Sequence, residues 1–156
     1  MNQDNLKFIH NTIIYWIDKT DSKANIFLGI QLAILGYFLF SLSSFDLDFY
    51  CESIVLFGFL ISTFFVLFFI FKIIWPKLST KEPISFIYFK HIYEKYAKKR
   101  ERAMEDFGKI NNQDVDNDLI NQIVSLSIVA TSKYKDLQKA IIFLVIEIIF
   151  IILLYI

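Results

Sequence analysis

The chain is short of the residues that build catalytic centres. A single cysteine, Cys51, excludes an internal disulfide and any cysteine-based zinc site. The two histidines, His10 and His91, are too few and too far apart for a zinc site without carboxylate help. Four glycines, three of them in or beside apolar runs, cannot form a phosphate-cradling loop. No serine stands in a nucleophile-elbow pattern. Carboxylates are plentiful, but Glu94, Glu101 and Glu105 are interleaved with Lys and Arg at helical spacing, the pattern of a solvated helix face. No enzyme, no metal and no cofactor is expected. The opening residues MNQDNLKFIH have neither an apolar core nor a small-residue cleavage site, so no removable signal peptide is expected.

What the chain has is apolar length. It is 56% hydrophobic, with 18 Phe and a mean hydropathy of +0.50, a composition unsuited to a soluble surface. Three runs stand out: 24–42, 53–71 and 140–156. At 1.5 Å per residue each gives roughly 25–29 Å of helix, enough to cross a bilayer core. Charge touches them only at Lys72, just past the second, and at Glu147, inside the third.

Cations fix the expected orientation. Lys7, Lys19 and Lys23 precede the first run, and the other thirteen of the sixteen lie between Lys72 and Lys139. The connector Ser43 to Glu52 holds Asp46, Asp48 and Glu52 instead. The N-terminus and residues 76–139 are therefore expected in the cytoplasm, with the connector and C-terminus outside. The expected organisation is a pre-span helix (1–23), a transmembrane hairpin (24–75, with spans 24–42 and 53–75), a cytoplasmic helical region (76–139) and a third span (140–156).

The cytoplasmic stretches read as helix. Leu6, Ile9, Ile13, Trp16, Ile17 and Thr20 recur at spacings of three and four. Pro76 and Pro83 bracket a turn, after which Phe86, Phe89, Tyr93, Tyr96 and Ala97 predict one helix from Ile84 to about Phe107. Gly108 to Asn117 reads as a polar loop, with Asp114 or Asp116 as cap of the next helix. From Asp118, Leu119, Ile123, Leu126, Ala130, Tyr134 and Leu137 run without a breaker into the third span. That predicts a rod of about 40 residues, roughly 60 Å long. The fold class is all-α: three transmembrane helices over a small cytoplasmic bundle, completed by oligomerisation.

Inside the membrane, Glu147 and Gln31 each lie seven residues into their spans, about 10 Å deep, where they can bond within or between chains. Two readings of Glu147 stay open: a protonated carboxyl that glues helices, or the lining of an ion path. Gly29 and Ala33 offer a small-residue face for close helix approach. The run Lys98 to Arg102 is read as a solvated face rather than a nucleic-acid site.

Three motifs in order carry a resemblance. Asp21-Ser22-Lys23-Ala24 opens the first span. Ser85-Phe86-Ile87-Tyr88-Phe89-Lys90-His91-Ile92 follows the Pro83 turn. Gln122-Ile123 leads to Leu126-Ser127-Ile128-Val129-Ala130-Thr131-Ser132-Lys133-Tyr134. Together with two spans in the middle and one at the end, the chain resembles the transmembrane effectors of the Pycsar antiphage systems. It departs from their pattern at Lys90, where a small residue is usual, and at Val129, where Ile is.

The resemblance implies an inner-membrane effector that binds cyclic UMP or cyclic CMP, made by a neighbouring pyrimidine cyclase, and impairs the bilayer so that the infected cell stops growing. Such a ligand needs a cation for its phosphodiester and aromatic faces and hydrogen bonders for its base. Asp21, Lys23, Tyr88, Ser127, Lys133 and Tyr134 offer that chemistry within the motifs. The plainer reading gives Asp21 and Lys23 to neighbours or headgroups, and the other residues to packing. An effector answering a cyclic oligonucleotide, and a constitutive holin-like or scaffold protein, are the alternatives.

Overall fold

The computed structural model describes residues 3–41, 50–75, 89–97 and 100–154. Five helices are present among them: α1 (Gln3–Ser41), α2 (Tyr50–Ile74), α3 (Phe89–Tyr96), α4 (Arg100–Gly108) and α5 (Asn112–Leu154). Parts of α1, α2 and α5 are long and apolar enough to cross a membrane. The expected all-α architecture with three such helices is what the structure shows, and the 43-residue α5 is the continuous last helix. The pre-span stretch and the first span likewise form one 39-residue helix. The Pro76–Pro83 turn, residues 43–49 of the connector, Lys98, Lys99 and the motif residues Ser85 to Tyr88 lie outside the described residues.

The chain divides into two compact units, residues 17–76 with 131–156 and residues 1–16 with 77–130. The first is a three-helix bundle. Most of its buried positions recur at steps of three, four or seven: Thr20, Ala24, Gln31 and Phe38 on α1; Phe59, Thr63, Val66, Ile70 and Ile73 on α2; Lys133, Leu137, Ala140 and Glu147 on α5, with Ser62 and Asp136 buried beside them. A mean repeat of 3.5 is the seam of helices that stay face to face over many turns. Ala24, Ile73 and Leu137 pack in one layer. Val66, Ile70 and Ala140 form the next, flanked by Phe27, Leu28, Phe69, Phe143 and Leu144. Outward-facing Ile26, Leu32, Phe57, Phe64, Ile142 and Ile149 are exposed, as lipid-facing positions must be.

The close approach in this unit is at Gly58. A Cβ there would stand 2.5 Å from Cζ of Phe150, so the missing side chain lets that ring lie against α2. The sequence pointed to Gly29 and Ala33 instead. Gly29 faces away from the seam through Ala24 and Gln31, and a Cβ on it would meet nothing within 4 Å.

In the other unit, α3 and α4 pack on each other rather than forming the single helix expected over 84–107. Tyr96 donates its hydroxyl proton to Asp106 Oδ2 at 2.9 Å, and Lys95 Nζ lies 3.1 Å from the same oxygen. In one straight helix residues 96 and 106 would stand about 15 Å apart, so these bonds require the break. The rings of Tyr96 and Phe107 meet at 5.6 Å between centroids. The polar loop expected over 108–117 is also shorter, because α5 begins at Asn112. Asn111 is the cap: its Oδ1 accepts the Asp114 N–H at 2.8 Å, while Asp114 Oδ2 accepts the Asn111 N–H at 3.2 Å. This reciprocal box overrides the loop-like composition. The stripe on α1 is narrower than expected, with Leu6 and Thr20 buried but Ile9 and Trp16 exposed. His10 takes a half-buried position, its ring N–H donating to Gln122 Oε1 at 3.2 Å.

Two predictions follow from packing and charge. Gly58→Val forces Phe150 out of its seat and costs about 1–3 kcal/mol, whereas Gly29→Ala, with open space for its methyl in mid-helix, is neutral or stabilises by up to about 1 kcal/mol. Thermal unfolding in detergent separates them. The Lys95 and Tyr96 hydrogen bonds hold Asp106 below the usual carboxylate range, and those with Tyr96 and Asp106 raise Lys95. The Asp106 contribution is present above the ordinary carboxylate pKa and is lost as pH falls through the lowered value. The Lys95 contribution is present below 10.5 and is lost as pH rises through the raised value. Amide-exchange protection across 89–108 is therefore level between those limits and falls outside them, and Asp106→Asn removes the acid limb.

Candidate functional site

Two ion pairs tie α5 to its neighbours at one end of the three-helix bundle. Lys133 Nζ donates to both carboxylate oxygens of Asp21 on α1, at 2.5 and 2.7 Å. Three residues further along α5, Asp136 Oδ1 accepts from Lys72 of α2 at 2.9 Å. The pairs are crossed, since α5 supplies the cation to α1 and the anion to α2. Lys72, just past the second apolar run, meets Asp136 with its ammonium while its side chain stays 44% exposed.

Local sequence explains the placement. The seam of α5 passes through 133, 137 and 140, so Lys133 occupies a core position and its side chain is 7% exposed. The apolar stripe read from the sequence ran through Tyr134, which is only half-buried. Asp21 lies beside the α1 seam residues Thr20 and Ala24, and 35% of its side chain remains open to solvent. The pair is thus sealed on the lysine side and open on the aspartate side.

The other proposed ligand residues are dispersed. Lys23 is exposed on α1, two residues from Asp21. Ser127 belongs to the other compact unit and donates to Ile123 O of its own helix at 2.7 Å. Tyr88 lies outside the described residues. The structure therefore brings together Asp21 and Lys133. Sequence reasoning missed Asp136 and the partner of Lys72; the signal was the spacing of Lys133 and Asp136, which put opposite charges one helical turn apart at the mouth of a span.

A second polar layer lies about 15 Å along the bundle, ten residues beyond Asp21 on α1. There Glu147 Oε1 accepts from Gln31 Nε2 at 2.7 Å and from Thr63 Oγ1 at 2.6 Å. Gln31 and Glu147 are fully buried. The meeting of Gln31 and Glu147 within one chain follows from their equal depth. Thr63, the α2 member, escaped notice because a lone hydroxyl leaves no mark in an apolar run. No group of three or more His, Cys, Asp or Glu side chains arranged for a metal is present among the described residues.

Asp21→Ala leaves the Lys133 ammonium buried without its carboxylate and costs about 3 kcal/mol, most of it recovered in the double variant Asp21→Leu/Lys133→Met. A double-mutant cycle by thermal unfolding in detergent measures the coupling.

No curated protein and no solved structure matches the chain. The family model PycTM, described as the Pycsar effector protein domain, matches residues 5–156. Nearly the whole chain is covered, including all three apolar helices and both polar layers, and the protein belongs to the Pycsar effector family.

Proposed function

We propose that this effector is gated by cyclic UMP or cyclic CMP, supplied by a pyrimidine cyclase of the same locus, and that the bound nucleotide makes it impair the inner membrane. In this reading it is a multi-pass homo-oligomer with its N-terminus in the cytoplasm, acting on the bilayer and not on nucleic acid. The observation that carries the proposal is the Lys133–Asp21 pair. A cyclic mononucleotide has one phosphodiester charge, as Asp21 has one carboxylate charge, so exchange of one for the other leaves Lys133 compensated. Asp21 is the open side of the pair, and exposed Lys23, two residues on along α1, adds positive charge to that end of the helix.

A nucleotide is far larger than a carboxylate, so seating it on Lys133 parts α5 from α1. Tyr134, next to Lys133 on α5, then supplies an aromatic contact to the base. Self-association draws on the exposed Phe8, Tyr15, Val124 and Ile128, large apolar side chains of the unit that carries the cytoplasmic stretches.

The test is membrane potential in bacteria expressing the chain with an active or a catalytically dead pyrimidine cyclase. Depolarisation with the active cyclase alone is expected. Depolarisation with both favours a constitutive holin-like protein, and depolarisation with neither excludes this signal. Lys133→Ala inserts normally and fails to respond to the cyclase, because the leftover Asp21 is partly solvated and the phosphate has lost its cation. Asp21→Asn depolarises without the cyclase, because a buried unpaired ammonium drives α5 outward. Two variants with the same phenotype would remove the exchange mechanism.

A further inference from the structure

The layer of Gln31, Thr63 and Glu147 is short of positive charge. Its donors are the Gln31 amide and the Thr63 hydroxyl, and both converge on one oxygen, Glu147 Oε1. The second carboxylate oxygen, Glu147 Oε2, and the Gln31 amide oxygen are buried without any partner. Ser62, the remaining buried hydroxyl nearby on α2, is committed to Phe59 O at 2.8 Å. Among the described residues no lysine or arginine pairs with Glu147; Lys72 and Lys133 of the same unit are committed to Asp136 and Asp21. Exchanging the amide oxygen and nitrogen of Gln31 does not help, because an amide oxygen would then face the carboxylate.

Buried acceptors in a membrane interior have no lipid donor to turn to. Two unpartnered acceptors on adjoining side chains, one of them on a carboxyl, together with the Thr63 hydroxyl oxygen, are the kind of oxygen donor that a small cation takes. Apolar layers close the site on both sides. Phe38 and Phe59 meet at 4.2 Å between centroids towards one end. Phe65 stacks on Phe143 at 4.8 Å towards the ion pairs. Rings on either side of a charged-ligand position are what an ion path gated by dewetting requires; here Phe38 and Phe59 are buried and Phe65 and Phe143 half-buried.

We propose that Gln31, Thr63 and Glu147 form a binding site for a small monovalent cation, the proton included, and that the activated protein passes cations selectively through it. The second half rests on the function proposed above; the first does not. Facing Glu147 are Gln31 from α1 and Thr63 from α2, neither of which titrates, so occupancy answers to the carboxyl alone.

Dicyclohexylcarbodiimide, which attacks protonated carboxyls in apolar surroundings, reads the site in the purified full-length protein without any nucleotide. Peptide mass spectrometry is expected to find Glu147 modified, with Glu147→Gln as the blank. A rate that falls several-fold on raising the pH, with no response to Na⁺ or K⁺, identifies a proton site. A fall on adding Na⁺ or K⁺ at fixed pH identifies an alkali-cation site. A rate the same in every buffer means a sealed structural carboxyl and overturns the binding proposal. In proteoliposomes given cyclic UMP or cyclic CMP across a KCl gradient, the reversal potential is expected near the cation limit, moving towards zero in Glu147→Gln. A wild-type reversal at zero overturns cation selectivity. No current with either nucleotide counts against the proposed gating, and the carbodiimide result then decides the site alone.

Discussion

Polar side chains on the inner seam of a membrane bundle have to satisfy one another, because lipid offers neither donor nor counter-charge. This constraint orders the three-helix unit. Lys133, Asp136 and Glu147 all face inward on α5, and each finds its partner on α1 or α2. The ion pairs fix which helix lies beside which, and the apolar layers between them, built around Ala24, Ala140 and Val66, set the spacing. An entirely apolar seam of Leu and Ile would tolerate slippage by a turn; this one does not, since a slip would strand Lys133 against Ala24 or Glu147 against Ile34.

Much of this was legible in the residues. Long apolar runs, the absence of proline within them and the one-sided distribution of lysine were enough for three spans and a continuous last helix. Equal depth into the spans was enough to pair Gln31 with Glu147. The seam itself was misread wherever a charge occupied it: the eye follows Tyr134 and passes over Lys133, because periodicity arguments score apolar residues and a buried lysine counts against the stripe. The break between α3 and α4 was hidden for a related reason. It depends on Tyr96 and Lys95 reaching Asp106, an interaction between residues ten apart that no helical spacing announces. Asn111 was overlooked as a cap because its surroundings, GKINNQDVDN, are a loop by composition alone.

The two polar layers divide the chemistry between them. The outer pair is half-solvated, singly charged on each side and open at Asp21, suited to exchange with an anion from solution. The inner layer is buried and acceptor-rich, with Phe38–Phe59 on one side of it and Phe65–Phe143 on the other, suited to holding a positive charge. The nucleotide gating and the cation path proposed above thus call on opposite charge preferences at two heights of one bundle.

Because α5 is unbroken from Asn112 to Leu154, Lys133 and Glu147 are locked in phase. Fourteen residues separate them, a whole number of seam repeats, so a twist that swings the lysine away from α1 turns the carboxylate through the same angle. The helix transmits torsion, not only thrust. Its timing is written in residue count: one residue inserted between the two would set them about 100° apart, while seven would leave them aligned. A change of length between the two keeps them in phase only as a multiple of the seam repeat, independent of which side chains fill it.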